Sequence, residues 1–167
     1  MDATGARVAA IVEQFQVKVW DSVSGQETSV INSDYSMIDQ LAITDDGDRA
    51  ALAFRSGFAQ VFSIDRQLAV SKEMRHLYNI YTLTLDKNRH RLITGSQDHG
   101  TRVWNLASGQ PLSEPMPHPG PVNYATFAAQ SDRVLTVASD SGRPTKRVYT
   151  WDLRHSCLLY TSDAADE

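Results

Sequence analysis

Val17-Lys18-Val19-Trp20-Asp21, Gln60-Val61-Phe62-Ser63, Arg102-Val103-Trp104-Asn105 and Arg147-Val148-Tyr149-Thr150-Trp151-Asp152 are four versions of one short pattern. Each is a run of strand length that carries a large aromatic residue near its end. Trp20, Phe62 and Trp104 stand 42 residues apart, and Trp151 follows Trp104 after 47. The surplus is placed in the loop Ser141-Gly142-Arg143-Pro144-Thr145-Lys146, as an insertion. A fixed period of this length makes the chain an array of equivalent units.

Outward from each aromatic run the same local events recur. A turn signal (Asp2-Ala3-Thr4-Gly5, Asp45-Asp46-Gly47-Asp48, Asp86-Lys87-Asn88, Gln130-Ser131-Asp132) precedes an apolar run such as Arg91-Leu92-Ile93-Thr94 or Val134-Leu135-Thr136-Val137. The aromatic run is followed by Ser24-Gly25-Gln26 or Ser108-Gly109-Gln110, where glycine supplies the freedom a chain reversal needs. Short strands with regular turns, and no long helical periodicity, predict an all-β array.

The period, the dipeptides Trp20-Asp21 and Trp151-Asp152, the Trp104-Asn105 variant and the Asp-Gly turn are in mutual register over residues 1–156. In this the chain resembles the WD-repeat family, in which about 40–45 residues encode one four-stranded propeller blade. The proline-rich connection 108–122 looks like those of bacterial members, many of which are fused to serine/threonine kinase domains. The resemblance implies a fold class of partial β-propeller, with about two complete blades between two incomplete ones. The units are blade one at 1–33, partial and lacking its innermost strand, blade two at 34–74, blade three at 75–117 and blade four at 118–156, partial. In blade three the strands a to d fall near Ile80–Leu85, Arg91–Ser96, Thr101–Leu106 and Leu112–Met116. A ring of about four to eight blades needs more strands than these, so the expectation is a fragment of a longer protein, poorly stable alone because of its open edges. Residues 157–167 resemble the translation of a sequencing adapter. They are expected to be a non-native tail without packing contacts, which makes Cys157 non-native as well.

In the resembled family an indole on strand c, a hydroxyl on strand b, an aspartate in the b–c turn and a histidine before strand a form a buried hydrogen-bonded chain. Blade three has Trp104, Thr94, Asp98 and His76 at those positions, and these four are the candidate structural network. Each buried polar group there needs a partner, because stranding one costs about 1–3 kcal/mol. His, Asp and Thr are also catalytic types, but no nucleophile elbow accompanies them. Trp20, Asp21, Phe62, Trp151, Asp152 and His118 are repeat-defining. Phe62 has no N–H to satisfy, and its b–c turn Ser56-Gly57-Phe58 lacks an aspartate. Gln14 stands in the equivalent turn of blade one, and in blade four the place of Asp140 is left open.

Other candidates read as structural. Asp45-Asp46-Gly47-Asp48 lacks the alternating ligands and terminal Glu of a calcium loop and reads as a solvated turn. His90, His99 and His155 read as surface histidines, and Lys18, Arg89, Arg91, Arg102 and Arg147 as solvated cations tempering strand edges. Gly95-Ser96-Gln97-Asp98-His99-Gly100 lacks the lysine and following helix of a phosphate loop. No cofactor or metal is expected.

The 167 residues carry 20 acidic and 16 basic side chains, for a net charge of -4. Without a basic run this argues against nucleic acid or an anionic membrane as partner. No apolar stretch has the roughly 18 residues of a span, and the first residues lack a signal peptide's basic flank. The cytoplasm is the expected compartment, and a scaffold for protein or peptide partners the expected function, within a larger bacterial signalling or regulatory protein. The alternative is a propeller enzyme with a central-channel site on blades outside this segment. The inner strands Ile38–Thr44, Ile80–Leu85 and Val122–Phe127 offer only Asp39 as an acid or histidine.

Overall fold

The structure, a computed structural model, describes residues 5–33, 36–86, 90–129, 132–140, 145–154 and 157–163. The expected turn residues 2–4, 87–88 and 130–131, the loop centre 141–144, Arg89, His155 and the last four residues lie outside these. Among the described residues every regular element is a strand. Arg7–Val12 (β1), Gln16–Asp21 (β2) and Glu27–Asn32 (β3) form the first sheet. Ile38–Ile43 (β4), Arg49–Phe54 (β5), Phe58–Ser63 (β6), Leu68–Ala69 (β7) and Met74–Arg75 (β8) form the second. Ile80–Asp86 (β9), Arg91–Ser96 (β10), Gly100–Asn105 (β11) and Met116–Pro117 (β12) form the third. Val122–Phe127 (β13), Arg133–Ser139 (β14), Lys146–Asp152 (β15) and Cys157–Asp163 (β16) form the fourth.

Each sheet is an antiparallel meander, and together they make a partial propeller whose innermost strands lie side by side, β9 packing against both β4 and β13. The sequence period is visible in the pairing: Val8, Ala50, Leu92 and Val134 stand opposite Trp20, Phe62, Trp104 and Trp151. In the fourth sheet this register is kept up to Ser139 opposite Lys146, so the surplus residues fall between β14 and β15. Each innermost strand also carries one extra residue, Asp39, Tyr81 or Asn123, at 42-residue steps. A bulge there bends the strand and re-aims that side chain.

In blades two and three the second strand, β5 or β10, is buried on both faces, so it lacks the in–out alternation of a half-exposed strand. Along β5, Ala50, Leu52 and Phe54 pack with Val17, Val19 and Ile31 of blade one, whereas Ala51 and Ala53 pack with Ile80, Leu83 and Leu92 of blade three. Ile93 and Val103 face Val122, Val134 and Trp151 of blade four. The core is therefore a series of layers between blades, and no blade has one of its own.

The outer strands differ from expectation. In blade three, the expected strand Leu112–Met116 is a bridge of Pro111 to Trp104 and, after an interval, β12 opposite Gly100 and Thr101. Pro111, Pro115 and Pro117 donate no N–H, which keeps this segment at an edge and breaks it. The expectation that the tail makes no packing contacts is corrected too. Cys157–Asp163 pairs along β15, giving blade four a fourth strand. An unpaired edge presents a row of backbone donors and acceptors that a following segment can satisfy with little regard to its side chains. Leu158 and Leu159 remain exposed in that pairing.

The small polar residue after the aromatic shapes the outer turn. Asp21 Oδ1 accepts the N–H groups of Val23 (3.0 Å) and Ser24 (2.7 Å), and Asn105 Oδ1 accepts those of Ala107 (3.0 Å) and Ser108 (2.9 Å). The turn needs only the shared oxygen, which is why Asn replaces Asp there. Four residues on, Gly25, Gln67 and Gly109 have φ of 70°, 56° and 72°. This left-handed backbone costs a side-chain-bearing residue about 1–2 kcal/mol. A Cβ on Gly25 would meet open space, but on Gly109 it would lie 2.5 Å from the Lys72 carbonyl oxygen. In the full-length protein, Gly25→Ala is expected to cost about 1 kcal/mol from backbone strain alone, and Gly109→Ala clearly more. Chemical denaturation of the two variants checks this, and equal losses would count against it.

Candidate functional site

Loop residues 76–79 cross from blade two into β9. At their start His76 is buried, with its ring over the end of β10. His76 Nε2 lies 2.7 Å from Thr94 Oγ1, and the same oxygen accepts the Trp104 indole N–H at 2.8 Å. On the ring's other side Nδ1 is 3.0 Å from the Asp98 carboxylate. The donors and acceptors order themselves: indole N–H to Thr94, Thr94 O–H to Nε2, and Nδ1–H to Asp98. The structure thus brings His76, Thr94, Asp98 and Trp104 into one chain of contacts.

Asp98 gathers further donors: the N–H groups of Leu77 (3.0 Å) and Gly100 (2.9 Å) and the Arg102 guanidinium (2.9 Å). Burial opposes its charge, but the hydrogen bonds from His76, Leu77 and Arg102 outweigh burial and hold the carboxyl well below its ordinary range. Burial pushes the His76 ring down, against the pull of Asp98. A neutral imidazole donating to a carboxylate is a positioning arrangement.

The period extends this set beyond the residues singled out from sequence. His118 and Thr136 stand 42 residues after His76 and Thr94, and Trp151 is in the same pairing register as Trp104. His118 Nε2 lies 2.7 Å from Thr136 Oγ1, which also accepts the Trp151 indole at 3.2 Å. Applying the spacing to Thr94 would have found Thr136. Asp140 is 42 residues after Asp98, but its carboxylate faces Arg147 at 3.7 Å, and among the described residues His118 Nδ1 has no carboxylate partner. Without a carboxylate, burial pushes His118 down to about 4.

Blade two fills the same positions with apolar groups. Leu52 replaces the hydroxyl residue, and Phe62 packs edge-on to Phe54 at 6.3 Å, which stacks on Phe58 at 4.4 Å. In blade one Ala10 stands in that place, and Gln14 lies in the b–c turn at φ 65°.

Two cations read as solvated are corrected. Arg102 is tied to Asp98, and Arg91 donates to Asp86 (2.9 Å) and Asp132 (3.2 Å) with its guanidinium 4.9 Å from the Phe127 ring centre. Asp86 ends β9 five residues before Arg91, whereas Asp132 comes from the next blade, 41 residues on. Lys18 pairs with Glu27 across β2 and β3. Asp46 is held by Thr44 Oγ1 and the Asp48 N–H, inside its own turn. Among the described residues no three metal-binding side chains converge, and no helix is long and apolar enough to cross a membrane.

Network and strand edge together fix a loop whose side chains face outward. The His76 N–H reaches Gly57 O (2.8 Å), Leu77 N–H reaches Asp98, and Ser96 Oγ donates to the Tyr78 and Asn79 carbonyls (3.1 and 2.9 Å). Leu77 is 82% exposed and Tyr78 61%. The neighbouring Arg75 lies 5.6 Å from the Phe58 ring centre.

No family model matches the chain. Its sequence is 27% identical over 116 residues to Mitochondrial division protein 1 of Saccharomyces cerevisiae, covering 62% of this chain and 16% of that protein. It is 32% identical over 74 residues to Kinesin-like protein KIF21B of Homo sapiens, covering 44% of this chain and 4% of that one. The chain thus spans a small part of the length of each relative.

Removing Asp98 strands donors in a buried site, so Asp98→Ala is expected to cost about 1–3 kcal/mol and Asp46→Ala, in an exposed turn, much less. Equal melting shifts in the full-length protein would contradict this. A pH series gives a second test, through His118. Its folded pKa lies below the 6.5 of the free side chain, so the unfolded chain takes up the proton first and stability falls with falling pH. The loss begins near 6.5, is complete near 4, and is on the order of 3 kcal/mol. His118→Gln should flatten that part of the curve, and an unchanged slope would exclude His118 as its source.

Proposed function

We propose that the chain is part of a WD-repeat propeller that binds protein or peptide partners as a scaffold and is not itself an enzyme. The observation that carries this reading is the loop bearing Leu77 and Tyr78: its backbone is tied down by Asp98 and Ser96 while two apolar side chains stand in solvent. A loop already held in place loses little conformational entropy on binding, and exposed apolar groups on a rigid base gain from being covered. The partial likeness to Mitochondrial division protein 1, a WD-repeat protein, supports the family.

The polar groups are committed elsewhere, which favours a scaffold over an enzyme. His76 and Asp98 position the loop, and the acids of the inner strands are held as well, Asp39 by Arg55 at 2.9 and 3.3 Å and Asp86 by Arg91 at 2.9 Å. The reading extends to a cytoplasmic signalling or regulatory protein of bacterial type, supported by the proline-rich connection at 108–122 and the absence of a basic run. It also keeps 157–167 apart from the native repeat, on the adapter resemblance; resequencing the genomic locus tests this, and eleven in-frame codons there would refute it.

The binding surface is tested in the full-length protein with Leu77→Asp/Tyr78→Asp, against Val23→Asp, a 92% exposed residue in the outer turn of blade one. The double variant is expected to lose the partners that cross-link to the unmodified protein, with its melting temperature kept, while Val23→Asp retains them. Retention of all partners by the double variant would overturn the assignment.

A further inference from the structure

Arg7, Arg49, Arg91 and Arg133 stand 42 residues apart, each the first residue of the second strand of its blade. At two of the three boundaries this arginine crosses to the next blade. Arg7 donates to the Gly47 carbonyl (2.8 Å) in the first turn of blade two and pairs with Asp65 (3.1 Å) of the same blade. Arg91 pairs with Asp132 (3.2 Å) in the corresponding turn of blade four, with its side chain only 12% exposed.

The middle boundary departs from this pattern. Asp48 and Asp132 end the first turns of blades two and four, but the residue at that register in blade three is His90. The Arg49 side chain makes no hydrogen bond or ion pair among the described residues. The acid it acts on is Asp46 of its own turn, already held by Thr44 and the Asp48 N–H. Arg49 and His90 line a cleft of about 290 Å³ between the two blades, with Leu85, Leu106 and Asp86, whose carboxylate is taken by Arg91. A cleft of about 270 Å³ also lies at the third–fourth boundary, but there Arg91 and Asp132 span it.

The apolar layer points the same way. Blade two meets blade three through four alanines, Ala42, Ala51, Ala53 and Ala59, with Val61 and Met74, whereas it meets blade one through Ile38, Ile43, Leu52, Phe54 and Ile64 beside Ala50. Apolar burial scales with area, at roughly 25 cal/mol per Å², so the face richer in alanine holds its neighbour less strongly than the one richer in leucine, isoleucine and phenylalanine.

We infer that the boundary between blades two and three is the seam at which this array opens, since it lacks the arginine latch that closes its neighbours. Opening would part β4 from β9 and expose Leu85 and Leu106, while the first and third boundaries stay shut. Ala50 and Ala51 are adjacent on β5, both fully buried, and face opposite boundaries, Ala50 toward blade one and Ala51 toward blade three. Thiol labelling of Ala50→Cys and Ala51→Cys therefore compares the two boundaries on one strand.

The experiment uses the full-length protein, with any reactive native cysteine replaced by serine, and a maleimide under native conditions. Ala51→Cys is expected to react at least ten times faster than Ala50→Cys, since global unfolding would expose both alike. Adding His90→Asp restores an acid opposite Arg49 and should slow labelling of Ala51→Cys several-fold. Position 90 has φ 52°, which Asp and Asn tolerate better than most residues, so His90→Asn is the uncharged control and should leave the rate unchanged. Equal rates at the two cysteines, or slowing by His90→Asn as large as by His90→Asp, would overturn the inference.

Discussion

The burial of both faces of the second strands of blades two and three is the constraint on which the rest of this structure depends. A single four-stranded blade has two apolar faces and cannot cover either by itself, so its stability comes from its neighbours. β5 shows this in six residues, with alternate side chains going to blade one and to blade three. The 42-residue spacing follows from the same requirement, because equivalent side chains must return to equivalent places for the layers to interdigitate.

Within that frame each blade settles the centre of its third strand in its own way. Where an indole is used, it needs an acceptor, and Thr94 and Thr136 supply one. Each hydroxyl then has a proton to give, which a histidine accepts. Asp98 ends the chain in blade three; in blade four no carboxylate among the described residues reaches the second ring nitrogen of His118. Blade two removes the whole demand at once by replacing Thr and Trp with Leu52 and Phe62. A wholly apolar solution and a fully satisfied polar one are both stable, whereas a partly satisfied one carries a cost. The polar solution has a further effect, since Asp98 reaches outside the blade to hold the loop that displays Leu77 and Tyr78.

Most of the strand plan was legible before any coordinates, as were His76, Thr94, Asp98 and Trp104, because period and turn chemistry are local properties of the chain. Arg91 and Arg102 were misread as solvated for a different reason: strand position alone does not say that Arg91 reaches Asp86 across its own turn and Asp132 across a blade boundary, or that Arg102 folds back on Asp98. The outer strands were also misplaced. An edge has one neighbour, so prolines break it in blade three and a segment with exposed leucines can occupy it in blade four.

Sequence by itself determined the repeat length, the antiparallel order of the strands and the residues around the indole of blade three, because hydrogen-bonding needs and chain reversals are set by residue type and spacing. Tertiary structure alone decided which charges meet: Arg7 with Asp65, Arg91 with Asp132, and Arg49 with no acid of the next blade. Such pairs depend on how one blade is rotated against the next, and that rotation is set by the volumes packed between them.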